Sequence, residues 1–169
     1  NSFLAKHILD AALAQVKNYV EKASENWKSI SNAEMPITLA EDKFIITGRV
    51  DLVTNDKGEY QILDFKTEKK PDVNRETDKV ERVRRQLEVY AYLFEKKYGI
   101  KIKGMKAYYT GETDGIPTIS FTRDEKHIKK TIATFTEVVD KIEEKDFSSR
   151  CCDMNICKNC DLRHYCKKG

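Results

Sequence analysis

Two alternating segments joined by a turn place the strongest constraint on how this chain folds. Apolar side chains alternate with polar ones over residues 43–53, and a second segment of strand character covers residues 60–67. Successive side chains of a β-strand point to opposite faces of the sheet, so alternation is the expected pattern of a half-buried strand. The intervening Asn-Asp-Lys-Gly at 55–58 is typical of a tight turn. The pattern therefore predicts a β-hairpin.

Three segments with helical periodicity surround this hairpin. Apolar residues recur every three or four positions over residues 3–29, 80–98 and 122–142. A Thr-Arg-Asp-Glu sequence opens the third segment and is a typical helix start. We therefore expect three helices, one before the hairpin and two after it.

Two further strands complete the predicted sheet. Residues 102–110 and 116–121 have strand character, whereas residues 32–36 are read as a break and residues 69–78 as a loop. The resulting order of helix, strands, helix, strands and helix predicts a mixed α+β fold, in which helices flank a central mixed β-sheet.

Composition limits the class of protein. The chain has 169 residues, 40% of them hydrophobic, which suits one domain with an ordinary core. No apolar run approaches the roughly 18 residues that a membrane span requires, and the amino-terminal segment lacks the features of a signal peptide. The net charge of +3 excludes a histone-like polycation but allows a local basic patch. Because the chain begins inside a helical pattern, we expect it to be part of a longer protein.

Two carboxylates and a lysine in the hairpin are the candidate catalytic residues. Asp51 lies on the polar phase of the first strand, Asp64 interrupts an apolar run, and Lys66 shares a face with Asp64. Paired carboxylates suit Mg²⁺ or Mn²⁺, and a neighbouring ammonium can hold a water or stabilise a phosphoryl transition state. The alternative interpretation is a simple ion pair between Asp64 and Lys66 at the edge of a strand.

All five cysteines lie in one 16-residue segment near the carboxyl end, residues 151–166. A disulfide scaffold would distribute them along the chain, whereas clustering indicates a metal or iron–sulfur site in a reducing compartment. We therefore expect a cytoplasmic protein. The cysteines are Cys151, Cys152, Cys157, Cys160 and Cys166.

The motifs together resemble a known family. GRVDLV at 48–53 followed by ILDFKT at 62–67 resembles the core motif of the PD-(D/E)xK nucleases, in particular their RecB-like branch. Gln86 and Tyr90 match the Q-x-x-x-Y motif of that branch, and His7 is similar to its motif-I histidine. Glu34 resembles the acidic residue before the G-x-x-D strand, although Glu41 is a rival for that position.

The resemblance implies a restriction-endonuclease-like fold and a set of residue roles. Asp51, Asp64 and the backbone carbonyl of Phe65 would bind the metal ion, together with His7 and, less strongly indicated, Glu34. Lys66 would position the attacking water. Gln86 and Tyr90 would orient Lys66 or contact the substrate.

The carboxyl tail is similar to the iron–sulfur staple of AddB-type nucleases and their CRISPR-associated relatives. Cys157, Cys160 and Cys166 would share a [4Fe-4S] cluster, with Cys152 or alternatively Cys151 as fourth ligand, because no upstream cysteine exists here. Zn²⁺ bound by three cysteines plus Cys152 or His164 is the competing interpretation. The predicted organisation is a nuclease core over 1–147 and a Cys-rich staple of the same domain over 148–169.

Basic residues follow the catalytic motif and suggest where DNA would bind. Arg82 and Arg85 lie near the helical face of Gln86, a placement that suits a phosphate backbone, although a solvated helix surface explains them equally well. The family implies cleavage of single-stranded or end-containing DNA, often by a domain linked to a UvrD-like helicase in DNA repair. Two other hypotheses remain open: a catalytically inactive DNA-binding or scaffolding module, and a zinc-stapled interaction domain.

Overall fold

The computed structural model describes residues 2–146, without the side chains of residues 2–4 and 23–26. The backbone divides into two compact units, Asn1–Ala133 and Thr134–Gly169, with the boundary inside the last helix. The elements, in chain order, are α1 (Ser2–Ala23), a 3₁₀ helix (Ser24–Ser29), β1 (Ile30–Ala40), β2 (Ile45–Asp56), β3 (Glu59–Lys66), α2 (Thr77–Tyr98), β4 (Ile102–Tyr109), β5 (Thr118–Thr122) and α3 (Glu125–Glu143).

The five strands form one mixed sheet in the order β1-β2-β3-β4-β5. All neighbouring pairs are antiparallel except β3 and β4, which run parallel because the connection between them includes α2. The predicted hairpin is confirmed as β2 and β3. Lys57 and Gly58 both have positive φ angles at its turn, and the Gly58 N–H donates to Asn55 Oδ1 at 2.8 Å.

Helix α2 covers one face of the sheet and forms the core with it. Leu87 and Leu93 are fully buried in the same cluster as Val50 and Ile62 of the strands. The backbone of β2 approaches α2 closely at Gly48, where a Cβ atom would lie 2.9 Å from the Tyr90 ring. This close approach brings α2 against the strand that carries the first candidate carboxylate.

The mixed α+β fold predicted from the sequence is confirmed, but two element boundaries were wrong. Residues 32–36, expected to be a break, lie inside β1. This strand is at an edge of the sheet, and its residues 30–34 are all exposed and carry no alternating apolar pattern. The alternation begins only at Met35, Ile37 and Leu39, which pack on the core. The first helix ends at Ala23, and the 3₁₀ helix replaces its predicted last turns. No helix in residues 2–146 has the length and apolar character needed to cross a membrane.

Candidate active site

The two candidate aspartates lie where β2 and β3 separate. The paired register of the two strands runs from the turn to Leu52 opposite Leu63, and Asp51 and Asp64 are the next residue on each strand. The Phe65 N–H donates a hydrogen bond to Asp51 Oδ2 at 2.7 Å, across the opening. The backbone that follows Asp64 therefore fixes the carboxylate of Asp51 beside it.

Asp64 is a buried carboxylate whose hydrogen-bonding capacity is not filled. Its residue exposure is 3%, and the Lys66 Nζ atom lies 2.7 Å from Oδ2. This contact is an ion pair without hydrogen-bond alignment, and in the described part of the chain Oδ2 has no other donor. Burial raises the pKa of Asp64, the adjacent Lys66 ammonium partly offsets this, and the charge of Asp51 raises the pKa further. Two neighbouring carboxylates, one of them buried with Lys66 as its only described cationic neighbour, are a suitable partial ligand set for a divalent cation.

A chain of hydrogen bonds connects Lys66 to α2. Lys66 Nζ donates to Gln86 Oε1 at 2.8 Å, and Gln86 Nε2 donates to the Tyr90 hydroxyl at 3.0 Å. Gln86 and Tyr90 are four residues apart, so they lie on the same helical face, as their spacing predicted. The Lys66 ammonium is thus held between Asp64 and Gln86.

A second set of contacts holds the backbone of Lys66. The Thr110 N–H donates to the Lys66 carbonyl at 2.8 Å. The Thr110 hydroxyl donates to Gln15 Oε1 at 2.8 Å, with the Lys66 carbonyl at 3.3 Å as a longer second acceptor. Gln15 Nε2 donates in turn to the Thr67 carbonyl at 3.3 Å. The backbone of Gly111 approaches that of Thr67 closely, since a Cβ atom on Gly111 would lie 2.7 Å from the Thr67 carbonyl oxygen.

Sequence reasoning missed Gln15 and Thr110. They are 95 residues apart in the chain, and each is an ordinary polar residue without a motif of its own. Only the packing of α1 against the end of β4 brings them together, so no local signal could have identified them.

His7 and Glu34 lie outside this group. His7 is on the exposed surface of α1, and Glu34 is exposed in β1, where its carboxylate lies 3.4 Å from Arg49. Residues 2–146 contain no group of three or more His, Cys, Asp or Glu side chains arranged to hold a metal ion. The structure therefore does not bring His7 or Glu34 into a ligand set with Asp51 and Asp64, because both side chains point to solvent.

The remaining predicted site residues are two arginines on α2 and the five cysteines. Arg82 is exposed on α2, and Arg85 Nε lies 3.8 Å from Glu81 on the same helix. Both are accessible to a ligand. Cys151, Cys152, Cys157, Cys160 and Cys166, proposed as cluster ligands, lie outside the described residues.

Three features of this site can be compared with those of known protein families: the order of the strands, the separation of β2 and β3, and the group formed by Asp51, Asp64 and Lys66. A profile of the PD-(D/E)XK nuclease superfamily matches residues 2–167, nearly the whole chain. The chain therefore belongs to the PD-(D/E)XK nuclease superfamily, and its fold is the restriction-endonuclease-like fold. Comparison with curated protein sequences finds no match.

Two solved structures share this fold. The crystal structure of SSO0001 matches with a TM-score of 0.55 at 17% identity, over 97% of this chain and 71% of that chain. A crystal structure from Eubacterium rectale, of a protein named as a candidate exonuclease, matches with a TM-score of 0.56 at 12% identity. That match covers 92% of this chain but 61% of the other, so this chain spans less than two thirds of that protein.

Proposed function

We propose that this chain is a Mg²⁺- or Mn²⁺-dependent deoxyribonuclease that hydrolyses phosphodiester bonds in single-stranded or end-containing DNA. The observation that carries the proposal is the buried Asp64 carboxylate, which has an oxygen without an aligned donor and lies beside Asp51 and Lys66. A buried carboxylate oxygen that has an ion pair but no aligned hydrogen-bond donor can accept a further partner, and a bound cation would supply one.

Asp51, Asp64 and the backbone carbonyl of Phe65 would hold the metal ion. The site chemistry fits such an ion, since hard carboxylate oxygens are what Mg²⁺ and Mn²⁺ prefer. A divalent ion bound there would polarise the phosphoryl group and lower the pKa of a bound water. His7 and Glu34 remain proposed additional ligands that would require movement of α1 or β1 from the described positions.

Lys66 would place the attacking water and balance charge on the phosphate. Its ammonium has three donors, and two of its neighbours, Asp64 and Gln86, lie within 2.8 Å. Gln86 and the Tyr90 hydroxyl behind it restrict the ammonium to one orientation. A fixed positive charge next to the reacting phosphate stabilises the transition state without reorganisation at the moment of reaction.

The remaining features of the proposed function depend on parts of the protein beyond this site. Arg82 and Arg85 would contact the DNA backbone. Cys152 (or Cys151), Cys157, Cys160 and Cys166 would bind a [4Fe-4S] cluster as a structural staple, with Zn²⁺ as the alternative. A cytoplasmic role in DNA repair, in the same chain or in complex with a UvrD-like helicase, completes the proposal. A brown sample with broad visible absorption would support the cluster, and a colourless sample with stoichiometric zinc would exclude it.

The test is a cleavage assay with fluorescent single-stranded DNA in Mg²⁺, in Mn²⁺ and in EDTA. We expect cleavage with either metal and none in EDTA, and the Lys66→Met variant should lose almost all activity. Lys101→Met removes a charge from an exposed lysine outside the site and is the matched control. Tight DNA binding without metal-dependent cleavage by the wild-type protein would instead support a non-catalytic DNA-binding module. Full activity of Lys66→Met would exclude the proposed catalytic group.

A further inference from the structure

A second polar site lies on the opposite face of the hairpin from the carboxylates. A cleft of 650 Å³ is lined by residues of all five strands, α1 and the 3₁₀ helix. Leu52, Leu63, Lys106 and Ser120 are register partners across β2 to β5, and all four line the cleft. Because Asp51 and Asp64 are adjacent to Leu52 and Leu63 along the strands, their side chains point to the other face. The cleft is therefore distinct from the candidate active site.

The lining of the cleft is positively charged. Lys22, Lys28 and Lys106 contribute to it, against the single carboxylate of Asp56 among its described lining residues. The Lys22 ammonium donates to the Thr113 carbonyl. Among the described side chains, which leave out those of residues 23–26, Lys28 and Lys106 have no hydrogen bond or ion pair, so both ammonium groups are available to an anion.

A buried hydroxyl without a partner also lines the cleft. Tyr108 is 6% exposed, and in the described residues its hydroxyl has no hydrogen-bond partner. Its ring packs edge-on against Tyr19 and Phe65, which holds the side chain in place. A buried donor that the protein leaves unpaired is available to a ligand that enters the cleft.

An exposed aromatic ring lies at the same cleft. Trp27 lines it and remains 48% exposed, in the 3₁₀ helix beside Lys28. An aromatic face next to lysines is the combination by which proteins bind single-stranded nucleic acid, since bases stack on the ring while phosphates contact the cations. The cleft volume is in the range of pockets that enclose one small ligand, which suits a few nucleotides of flexible strand better than a rigid duplex.

We propose that this cleft is a binding site for single-stranded nucleic acid, separate from the catalytic carboxylates. Lys28 and Lys106 contact the phosphates, Trp27 stacks on a base, and the Tyr108 hydroxyl donates to a phosphate or base oxygen. The proposal rests on the proposed nuclease function for one point only, namely that the bound strand is part of the substrate.

The experiment measures fluorescence anisotropy of a labelled oligodeoxythymidine about 20 nucleotides long, longer than a typical single-strand site, in EDTA so that no cleavage occurs. We expect the Lys28→Ala/Lys106→Ala protein to bind about 10-fold more weakly than the wild type. The slope of log affinity against log salt should fall by about 1.4, because two phosphate contacts are lost at about 0.7 each. The matched control is Lys101→Ala/Lys126→Ala, which removes two exposed lysines outside the cleft and should leave both quantities near the wild-type values.

Two single variants test the remaining contacts. Trp27→Ala should weaken binding about 10-fold through lost stacking. Tyr108→Phe removes only the hydroxyl and should weaken binding about 3-fold while preserving the ring packing. Unchanged affinity and salt slope in the double lysine variant would overturn the proposal, as would absence of oligonucleotide binding by the wild type.

Cleavage assays separate failure of this proposal from failure of the proposed function. If the wild type cleaves DNA and the double lysine variant has the same affinity and KM, the cleft is not a strand site although the nuclease assignment stands. If binding at the cleft is confirmed but no metal-dependent cleavage occurs, the nuclease proposal fails and the binding site stands.

Discussion

Two buried carboxylates near α2 differ in how their oxygens are satisfied. Glu88, on α2, is fully buried, and its oxygens accept hydrogen bonds from Arg84 Nε at 3.1 Å and the Thr131 hydroxyl at 2.6 Å. His127 Nδ1 also lies 2.7 Å from Glu88 Oε1. Asp64, on the sheet, is as deeply buried but has an oxygen without an aligned donor, and its cation is shared with Gln86. Each oxygen of Glu88 thus accepts one aligned hydrogen bond, whereas Asp64 Oδ2 accepts none among the described residues and leaves a place for a ligand.

This is the difference expected between an acid with a structural role and one that binds a ligand. A buried charge is stable when hydrogen bonds and a counter-ion fill its capacity, and then its removal leaves its partners unpaired. A buried charge that lacks some of its hydrogen bonds contributes less to the stability of the fold. Its free-energy cost is acceptable where a bound ligand supplies the missing interaction. Burial alone would not have distinguished Asp64 from Glu88.

The largest expected effect is on activity, in the Asp64→Asn protein. The substitution keeps the shape of the side chain but removes the charge that would hold the metal ion. We expect metal-dependent cleavage to fall by at least about 1,000-fold, as for loss of a central catalytic group. The free energy of unfolding should change by less than about 1 kcal/mol, because few aligned contacts are lost. A large loss of stability in urea denaturation would make Asp64 a structural acid like Glu88.

Glu88→Ala should instead lower stability and leave activity nearly unchanged. Arg84, Thr131 and His127 would lose their shared acceptor in the core, so we expect the free energy of unfolding to fall by about 3 kcal/mol. Denaturation followed by circular dichroism measures this loss. Activity per folded molecule should remain within about 3-fold of the wild type, since no catalytic contact is removed. Glu88→Gln, which retains acceptor capacity, is the milder control, and equal losses in the two variants would contradict the hydrogen-bond explanation.

A third carboxylate, Glu95, is paired with Arg123, and the pH dependence of the free energy of unfolding tests whether this pairing stabilises the fold. Burial raises the pKa of Glu95, but hydrogen bonds from Arg123 at 2.7 and 2.8 Å and from the Ile102 N–H outweigh it, so the pKa lies below its usual 4.5. A lowered folded-state pKa contributes stability that is present above 4.5 and is lost as pH falls through the folded-state value.

Removing the Arg123 cation should therefore weaken this pH dependence, while the Ile102 N–H remains as a donor to Glu95. We expect Arg123→Met to lower the free energy of unfolding by about 2 kcal/mol near neutral pH. At an acidic pH low enough to protonate Glu95 in both proteins, the difference should narrow. Urea denaturation at the two pH values gives the result, and an equal difference at both would show that lost packing, and not the ion pair, destabilises the variant.

The smallest expected effect concerns the backbone of Lys66. Thr110→Val preserves side-chain shape but removes the hydroxyl that bonds Gln15. We expect kcat to fall about 10-fold with little change in KM, because Lys66 would be less well positioned. Thr110→Ser, which restores the hydroxyl, should recover most of the activity. A matched loss in the serine variant would show that the methyl group, and not the hydrogen bond, is what matters.

Much of the site was predictable because its signals are local. Asp51, Asp64 and Lys66 lie within a single hairpin, whose alternation and turn residues are visible in the sequence. Gln86 and Tyr90 are one helical turn apart, and their spacing alone places them on one face. The first half of edge strand β1 was missed for the opposite reason, since residues 30–34 are exposed and carry no apolar pattern.

The sequence by itself determined the hairpin and the three helices, because the periodicity of a strand or helix is contained within about ten residues. It indicated the candidate catalytic group through the resemblance of its motifs to those of the PD-(D/E)xK nucleases. Only the tertiary structure decided which buried acid is satisfied. The contact between Thr131 and Glu88 joins residues 43 positions apart, and that between Thr110 and Gln15 joins residues 95 positions apart. Hydrogen bonds over such separations depend on how elements pack, and no local pattern specifies them.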